Sequence, residues 1–378
     1  MRIVIAPDSF KESASAIEVC VAIETGLRRV WADVEIDAVP MADGGEGTVD
    51  ALVAATQGRY LEAEVRDPLG EVITARYGIL GDGKTAVIEM AAASGLERVP
   101  VDRRAPGFTT TFGTGQLMRD AIEQGVARLI VGLGGSATND AGAGMAQALG
   151  YSLLDADNVE LPFGGLALSR LDWIEDLKKH PGLAHVEVVG AYDVDNPLCG
   201  PEGASFVYGP QKGASPKTVE LLDAALRHFG EYVCEEFGLK VLEAPGAGAA
   251  GGLGAGLMVF ANAVLRPGAE VVAEACRLEQ RIEGSDLVIT GEGKIDAQTV
   301  RGKAPARVVR AAKRKKVPVV AFAGVLGEGA EELREEGVEA FFPICKEGMA
   351  REEAMLRTQE LLADEAERFA LAWERGSR

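Results

Sequence analysis

The sequence predicts an α/β protein: a Rossmann-like parallel-sheet domain built from both ends of the chain, with a second α/β domain inserted between them. Three observations lead there. At both ends, short apolar, β-branched runs alternate with stretches of helical periodicity. That alternation breaks over residues 62–89, where strand-like segments follow one another with no helix between them. Glycine-rich segments carrying one or two charges directly follow several of the apolar runs, which puts polar groups at the carboxyl edge of a sheet, where open α/β folds bind ligands. The expected boundaries are 1–60 and 262–378 for the parallel-sheet domain and 61–261 for the insertion.

The elements follow in order. Arg2 to Pro7 is a strand, and Ser15 to Val30 has helical spacing through Ile17, Cys20, Val21, Ile23 and Leu27. A second strand runs from Val34 to Met41 and a second helix from Thr48 to Thr56. Strand patterns at 62–65, 72–75 and 86–89 are separated by turn signals at Asp67-Pro68 and Asp82-Gly83. A helix begins near Gly113, followed by a strand from Arg128 to Leu133 and a helix from Asn139 to Leu149. Val186 to Val189 is a strand, Pro216 to Phe237 a helix, and Leu257 to Leu265 another helix. From Ser285 the alternation returns: strand Asp286 to Thr290, helix Ala304 to Lys316, strands Val317 to Ala323 and Ala340 to Ile344, and a last helix from Arg351 to Trp373.

Composition narrows the function classes. A net charge of −19 argues against a nucleic-acid partner, which would need a basic surface. Five scattered cysteines without CxxC spacing fit reduced thiols in the cytoplasm and no structural zinc. No apolar stretch approaches the roughly 20 residues that span a bilayer, so no membrane association is expected. Glycine, at 47 of 378 residues, exceeds the usual share of about 7%, largely through the charged segments.

Two motifs imitate nucleotide loops. Gly78 to Thr85 matches a Walker A pattern, but Ala86-Val87-Ile88-Glu89 continues as strand where a helix is required, and Asp82-Gly83 marks a hairpin. Gly246 to Gly251 matches GxGxxG, with Glu270 at the distance of a ribose-binding acid. Glu243-Ala244-Pro245 breaks the strand that should precede it, and the expectation is a glycine-lined loop.

The motif segments, all but GAAGGLGAG carrying charge, are APDSFKES (6–13), MADGGEGT (41–48), GGSATNDAG (134–142), DVDNPLCG (193–200), GPQKGA (209–214), GAAGGLGAG (248–256), TGEGKIDAQT (290–299) and GKAP (302–305). Together and in this order they resemble the bacterial type I glycerate kinase family over nearly the whole chain. Ala141 stands where that family usually has glycine, and Ala14 where a larger apolar residue is common. The resemblance implies a Rossmann-like domain with an inserted domain, and ATP-dependent, Mg²⁺-assisted phosphorylation of D-glycerate, more often at the 2-position than the 3-position. Two other readings stand beside it: a nicotinamide-dependent oxidoreductase using Gly246 to Gly251, and a sugar-acid sensor without turnover.

Phosphoryl transfer needs a metal on the phosphates, cations or N–H groups on the transferring oxygens, and a base at the acceptor hydroxyl. His180, His185 and His228 all lie outside the charged segments, so the base is expected to be a carboxylate. Asp193 comes first, at a strand end before the turn Asn196-Pro197; fixing that turn is its plain alternative, and Asp296 or Asp43 would be next in line. Lys11 and Lys212, each the one cation of its segment, are expected to hold a phosphate or the glycerate carboxylate, or else to be solvated surface lysines. Asp8, Ser9, Asp43, Glu46 and Asn196 form the expected substrate set; capping of the next helix is the plain alternative for Asp8 and Asp43. Gly134, Gly135, Ser136, Thr138 and Asn139 form a nest for phosphate or carboxylate oxygens. Arg301 and Lys303, cations at a helix start, join the phosphate- and nucleotide-binding set. Glu292 and Asp296 are expected to hold Mg²⁺ from one loop.

Overall fold

The computed structural model describes residues 1–300 and 302–376. They divide into two compact units. The first comprises Met1–Asp43, Asp50–Gln57 and the chain from Ala269 onward; the second comprises Gly44–Val49 and Gly58–Gly268. Among the described residues, the strands in chain order are β1 (Arg2–Ile5), β2 (Glu35–Ala38), β3 (Arg59–Arg66), β4 (Val72–Ile79), β5 (Thr85–Glu89), β6 (Arg128–Gly132), β7 (Ser152–Leu154), β8 (Trp173–Glu175), β9 (Glu187–Tyr192), β10 (Val264–Pro267), β11 (Leu287–Ile295), β12 (Val319–Leu326) and β13 (Val338–Pro343).

The first unit holds a five-stranded parallel sheet in the order β13-β12-β11-β1-β2. Read from β2, this is the doubly wound order 2-1-3-4-5. In that order the topological switch lies between β1 and its neighbour β11, and ligands bind outside the carboxyl ends there. The sheet is buried because both faces must be covered by helices. Ile3, Ile5, Leu287, Ile289 and Phe322 pack with Ile23 and Leu27 of the helix Ala16–Arg28 and with Leu362 and Phe369 of the helix Thr358–Gly376. Ser15 starts the first of these helices through a reciprocal capping box with Glu18.

The second unit holds a six-stranded sheet in the order β10-β9-β6-β5-β4-β3, plus the small antiparallel pair β7-β8. β5, β6, β9 and β10 run parallel, whereas β3 and β4 form the antiparallel edge expected from the unbroken run of strand patterns. Its core joins Ile88, Leu129 and Val131 of the sheet to Leu117, Leu226 and Phe229 of flanking helices. β10 pairs with β9 and so keeps residues 264–267 with this sheet.

Four elements differ from expectation, each for a local reason. The helix expected from Asn139 begins only at Ala143, because Ala141 and Gly142 turn left-handed (φ 49° and 72°) around the Asp140 carboxylate. Leu265 lies in β10 rather than in a helix, since the helix Ala249–Ala261 stops at Asn262 in the left-handed region. β11 continues through Gly291-Glu292-Gly293, which parallel pairing with β12 holds extended, so Glu292 stands on a strand and not in a loop. The last helix is two, Arg351–Leu356 and Thr358–Gly376. Among the described residues no helix is long and apolar enough to cross a membrane.

Candidate active site

In the first unit, a cavity of about 320 Å³ opens at the carboxyl ends of β1, β11, β12 and β13. Asp8, Ser9 and Lys11 reach it from the segment after β1, and Glu292 and Lys294 from β11. The two segments are laced together: the Asp8 N–H donates to Gly291 O at 2.8 Å. A Cβ on Gly293 would lie 3.2 Å from the Phe10 Cα, so only a very small residue suits this approach. The Ser9 N–H donates to Asp8 Oδ1 at 2.6 Å. Burial, followed by the nearby Asp43 carboxylate, raises the Asp8 carboxyl to about 8; Glu292 pushes the same way, while Ser9 N–H and Lys11 oppose it. Burial also raises Glu292, which accepts a hydrogen bond from Thr299 Oγ1 and faces Lys303 Nζ at 3.8 Å. Lys303 is the N-cap residue of the helix Ala304–Lys315, and its carboxylate neighbour offsets the unfavourable position of a cation at a helix start.

Asp296 is engaged elsewhere. Lys294 Nζ lies 2.9 Å from its Oδ2, the Gln298 N–H donates to Oδ1, and the Lys294 hydrogen bond holds its carboxyl below the ordinary value. Among the described residues, no group of three or more His, Cys, Asp or Glu is arranged as a metal cage. Arg301 lies outside the described residues.

In the second unit the glycine-rich segment after β6 forms a tight cradle. Gly134 packs on Gly45 of the MADGGEGT segment, and a Cβ on it would lie 2.7 Å from the Gly45 Cα. Gly135 follows with φ 72°. Lys212, only 2% exposed, donates from Nζ to Ser136 Oγ at 2.7 Å and to Thr138 O at 2.6 Å. That excludes a solvated surface lysine. Burial lowers its ammonium to about 7, against the opposing charge of Asp140. Beside it, Thr138 and Asn139 are fully buried; Asn139 Nδ2 donates to Ser205 Oγ, while Thr138 Oγ1 and Asn139 Oδ1 have no hydrogen-bond partner among the described residues. Unsatisfied buried polar atoms cost stability unless something fills the site.

Asp140 holds this cradle in shape. Its carboxylate accepts from Thr111 N–H and Oγ1, at 2.9 Å each, and from the amides of Gly142 and Gly144. Ala141 pays for the turn with a left-handed backbone that glycine would take without strain.

Asp193 stands exposed just after β9. The turn beyond it is tied by Asn196, whose Nδ2 donates to Glu202 O and whose Oδ1 accepts from Tyr208 Oη, while the Gly248 N–H bonds Asn196 O. Asn196 is therefore a holder of the turn. Glu46 is exposed on the second unit's share of MADGGEGT, and Asp43 is buried in the first. His228 is used on Leu171 O, and His180 and His185 belong to a short helical turn at residues 180–185.

The first imitating motif is the expected hairpin, whereas the second runs into a kinked helix that begins at Ala249, eight residues before the expected Leu257. Gly78 to Thr85 joins β4 to antiparallel β5, with Asp82 capping the turn through the amides of Lys84 and Thr85. No strand precedes Gly246, and left-handed Ala250, Gly251 and Gly252 kink the helix that follows. Sequence reasoning missed Ile344, Cys345 and Met355, which wall the first unit's cavity but belong to no motif.

Residues 3–374 match the model of the Glycerate kinase family. The chain is 50% identical to a protein named Glycerate 2-kinase from Escherichia coli K12, over 91% of this chain and 90% of that one. It is 49% identical to one named Glycerate kinase from Halalkalibacterium halodurans, over 99% of each. The crystal structure of a Salmonella typhimurium LT2 protein assigned as glycerate kinase 2 superposes with a TM-score of 0.89 at 46% identity, covering 100% of this chain and 99% of that one.

Proposed function

This chain belongs to the glycerate kinase family, and from that premise we propose that it transfers the γ-phosphoryl group of ATP to D-glycerate, at the 2-hydroxyl in preference to the 3-hydroxyl. The carrying observation is the cradle of Ser136, Thr138, Asn139 and Lys212: a buried amine at a glycine-rich strand end, beside two unpartnered polar atoms, is built for an anionic ligand. Asp193 is the proposed base that takes the acceptor hydroxyl's proton, because a carboxylate at the end of a paired strand before a well-tied turn keeps its geometry.

Mg²⁺ suits the first unit. Burial first, and the neighbouring Asp43 and Glu292 carboxylates after it, favour the protonated form of Asp8, and a divalent cation at these carboxylates would favour the ionised form instead. Mg²⁺ commonly takes one or two carboxylates together with phosphate oxygens, which agrees with the lack of an all-protein cage among the described residues. We assign the ion to Glu292 and Asp8, with Asp296 fixing the adjoining turn through Lys294 and Gln298. When bound it neutralises phosphate charge. Lys11, Ser9 and Lys303 are proposed to position phosphate oxygens there. The five unpaired cysteines suit a cytoplasmic setting.

The experiment is ADP detection with ATP, Mg²⁺ and D-glycerate, followed by phosphorus NMR of the product. ADP release together with a 2-phosphate signal is expected. Glycerate binding without ADP would favour a sensor, and nicotinamide absorbance changes an oxidoreductase.

A further inference from the structure

The cavity of the first unit is larger than a three-carbon acid needs, and part of its wall is apolar. At about 320 Å³ it falls within the range, roughly 300–1,000 Å³, that encloses ligands of nucleoside size. Its walls include Phe10 and Ile344, which are 2% and 1% exposed, together with half-buried Val325, Cys345 and Met355. Glycerate offers almost no apolar surface to such walls. A flat heteroaromatic ring does, because it gains by burying its faces against aliphatic and sulfur-bearing side chains.

Cations outnumber carboxylates in the lining. Lys11, Lys294, Lys303 and Arg351 line the same cavity, beside the carboxylates of Asp8 and Glu292. Apolar walls with nearby cations match a nucleoside carrying a polyphosphate. The position agrees as well, since the cavity spans the switch point between β1 and β11 and extends along β12 and β13.

Resting on the kinase reading, we infer that this cavity takes the purine nucleoside of ATP, with Ile344, Cys345 and Met355 against the base. The cradle around Lys212 is then left for the carboxylate of glycerate. Ile344 and Cys345 directly follow the last strand of the first unit and Met355 lies in the helix Arg351–Leu356, a stretch that carries none of the glycine-rich segments.

The test first establishes ADP release by the wild-type enzyme, then compares it with Met355→Trp, which fills the cavity. The dissociation constant for the non-hydrolysable analogue AMP-PNP should rise about tenfold or more, with the KM for glycerate within about twofold of wild type. An unmoved AMP-PNP affinity, or a rise confined to glycerate, overturns the assignment. In case the variant folds poorly, iodoacetamide labelling of Cys345 in the wild-type protein gives a second reading by mass spectrometry. Saturating AMP-PNP should slow labelling about tenfold or more while glycerate leaves it unchanged, and equal rates with and without the nucleotide overturn the assignment. Failure to release ADP would instead remove the kinase reading, and the labelling arm would still judge the cavity.

Discussion

Lys212→Met separates a ligand-binding lysine from a structural one, and the expected sign depends on pH. In the folded protein burial lowers the Lys212 ammonium from 10.5 to about 7. An unfolded chain near pH 7.5 holds that proton and the folded one largely does not, which costs the native state about 4 kcal/mol. Methionine removes this cost while keeping similar bulk. It also removes the hydrogen bonds to Ser136 Oγ and Thr138 O and strands their acceptors, a loss of about 2–4 kcal/mol. Near pH 7.5 the variant should therefore be as stable as wild type or up to about 2 kcal/mol more so, a rise in Tm of about 0–8 °C. Because the folded value is the depressed one for a base, wild-type stability climbs as pH rises from about 7 towards 10.5, where neither state is protonated. Near pH 9.5 only about 1 kcal/mol of the proton cost remains, and the same substitution should destabilise by about 1–3 kcal/mol. Near pH 7.5 kcat/KM for glycerate should fall about 100-fold or more, since the amine that can take up a proton as its anion binds is gone. Scanning fluorimetry at both pH values and a coupled ADP assay measure all three quantities. A variant that melts well below wild type near pH 7.5 yet keeps its activity would refute the reasoning, because Lys212 would then be a packing element.

Asp193→Asn keeps a turn acceptor and loses the base, so kcat should drop about 100-fold or more with Tm unchanged; near-normal kcat would move the role to another carboxylate. Glu292→Gln should raise the Mg²⁺ concentration for half-maximal activity more than Asp296→Asn does, and the reverse order in a metal titration would return Asp296 to the ligand set. Asp8 has its carboxyl raised, so its stabilising contribution is full below its unfolded value of 3.8 and is lost as pH rises through about 8. Asp8→Asn should accordingly raise Tm more near pH 8 than near pH 5; an equal change at both would show that Asp8 is not held protonated by its surroundings.

The parts legible in the sequence are those that local chemistry dictates. The doubly wound first unit could be read from alternation of period, and the β4-β5 hairpin from Asp82-Gly83, whose turn competes with any Walker loop at that point. Lys212 and the Ser136–Asn139 run could be picked out as candidate anion ligands from residue type and their place beside glycines. Their burial could not, because it depends on how the GPQKGA segment folds onto a segment some 70 positions earlier in the chain. The same holds for Glu292. Its spacing from Asp296 suggested one loop, yet pairing with β12 holds it extended while Lys294 takes Asp296, and both outcomes rest on partners that spacing does not report.

Asp140 shows why a motif can mark a site without marking its chemistry. GGSATNDAG contains one carboxylate, and a carboxylate in a phosphoryl-transfer segment invites a catalytic role. In the structure all its hydrogen bonds are spent on Thr111, Gly142 and Gly144, and it is completely buried. Its negative charge is nevertheless what opposes the loss of the proton from Lys212. An anion arriving beside Lys212 adds to that field and favours the ammonium, so ligand binding near neutral pH should take up a proton. The residue that shapes the loop thus also poises the lysine to become charged when its ligand arrives. That coupling follows from the position of Asp140 in the fold, which the segment alone does not report.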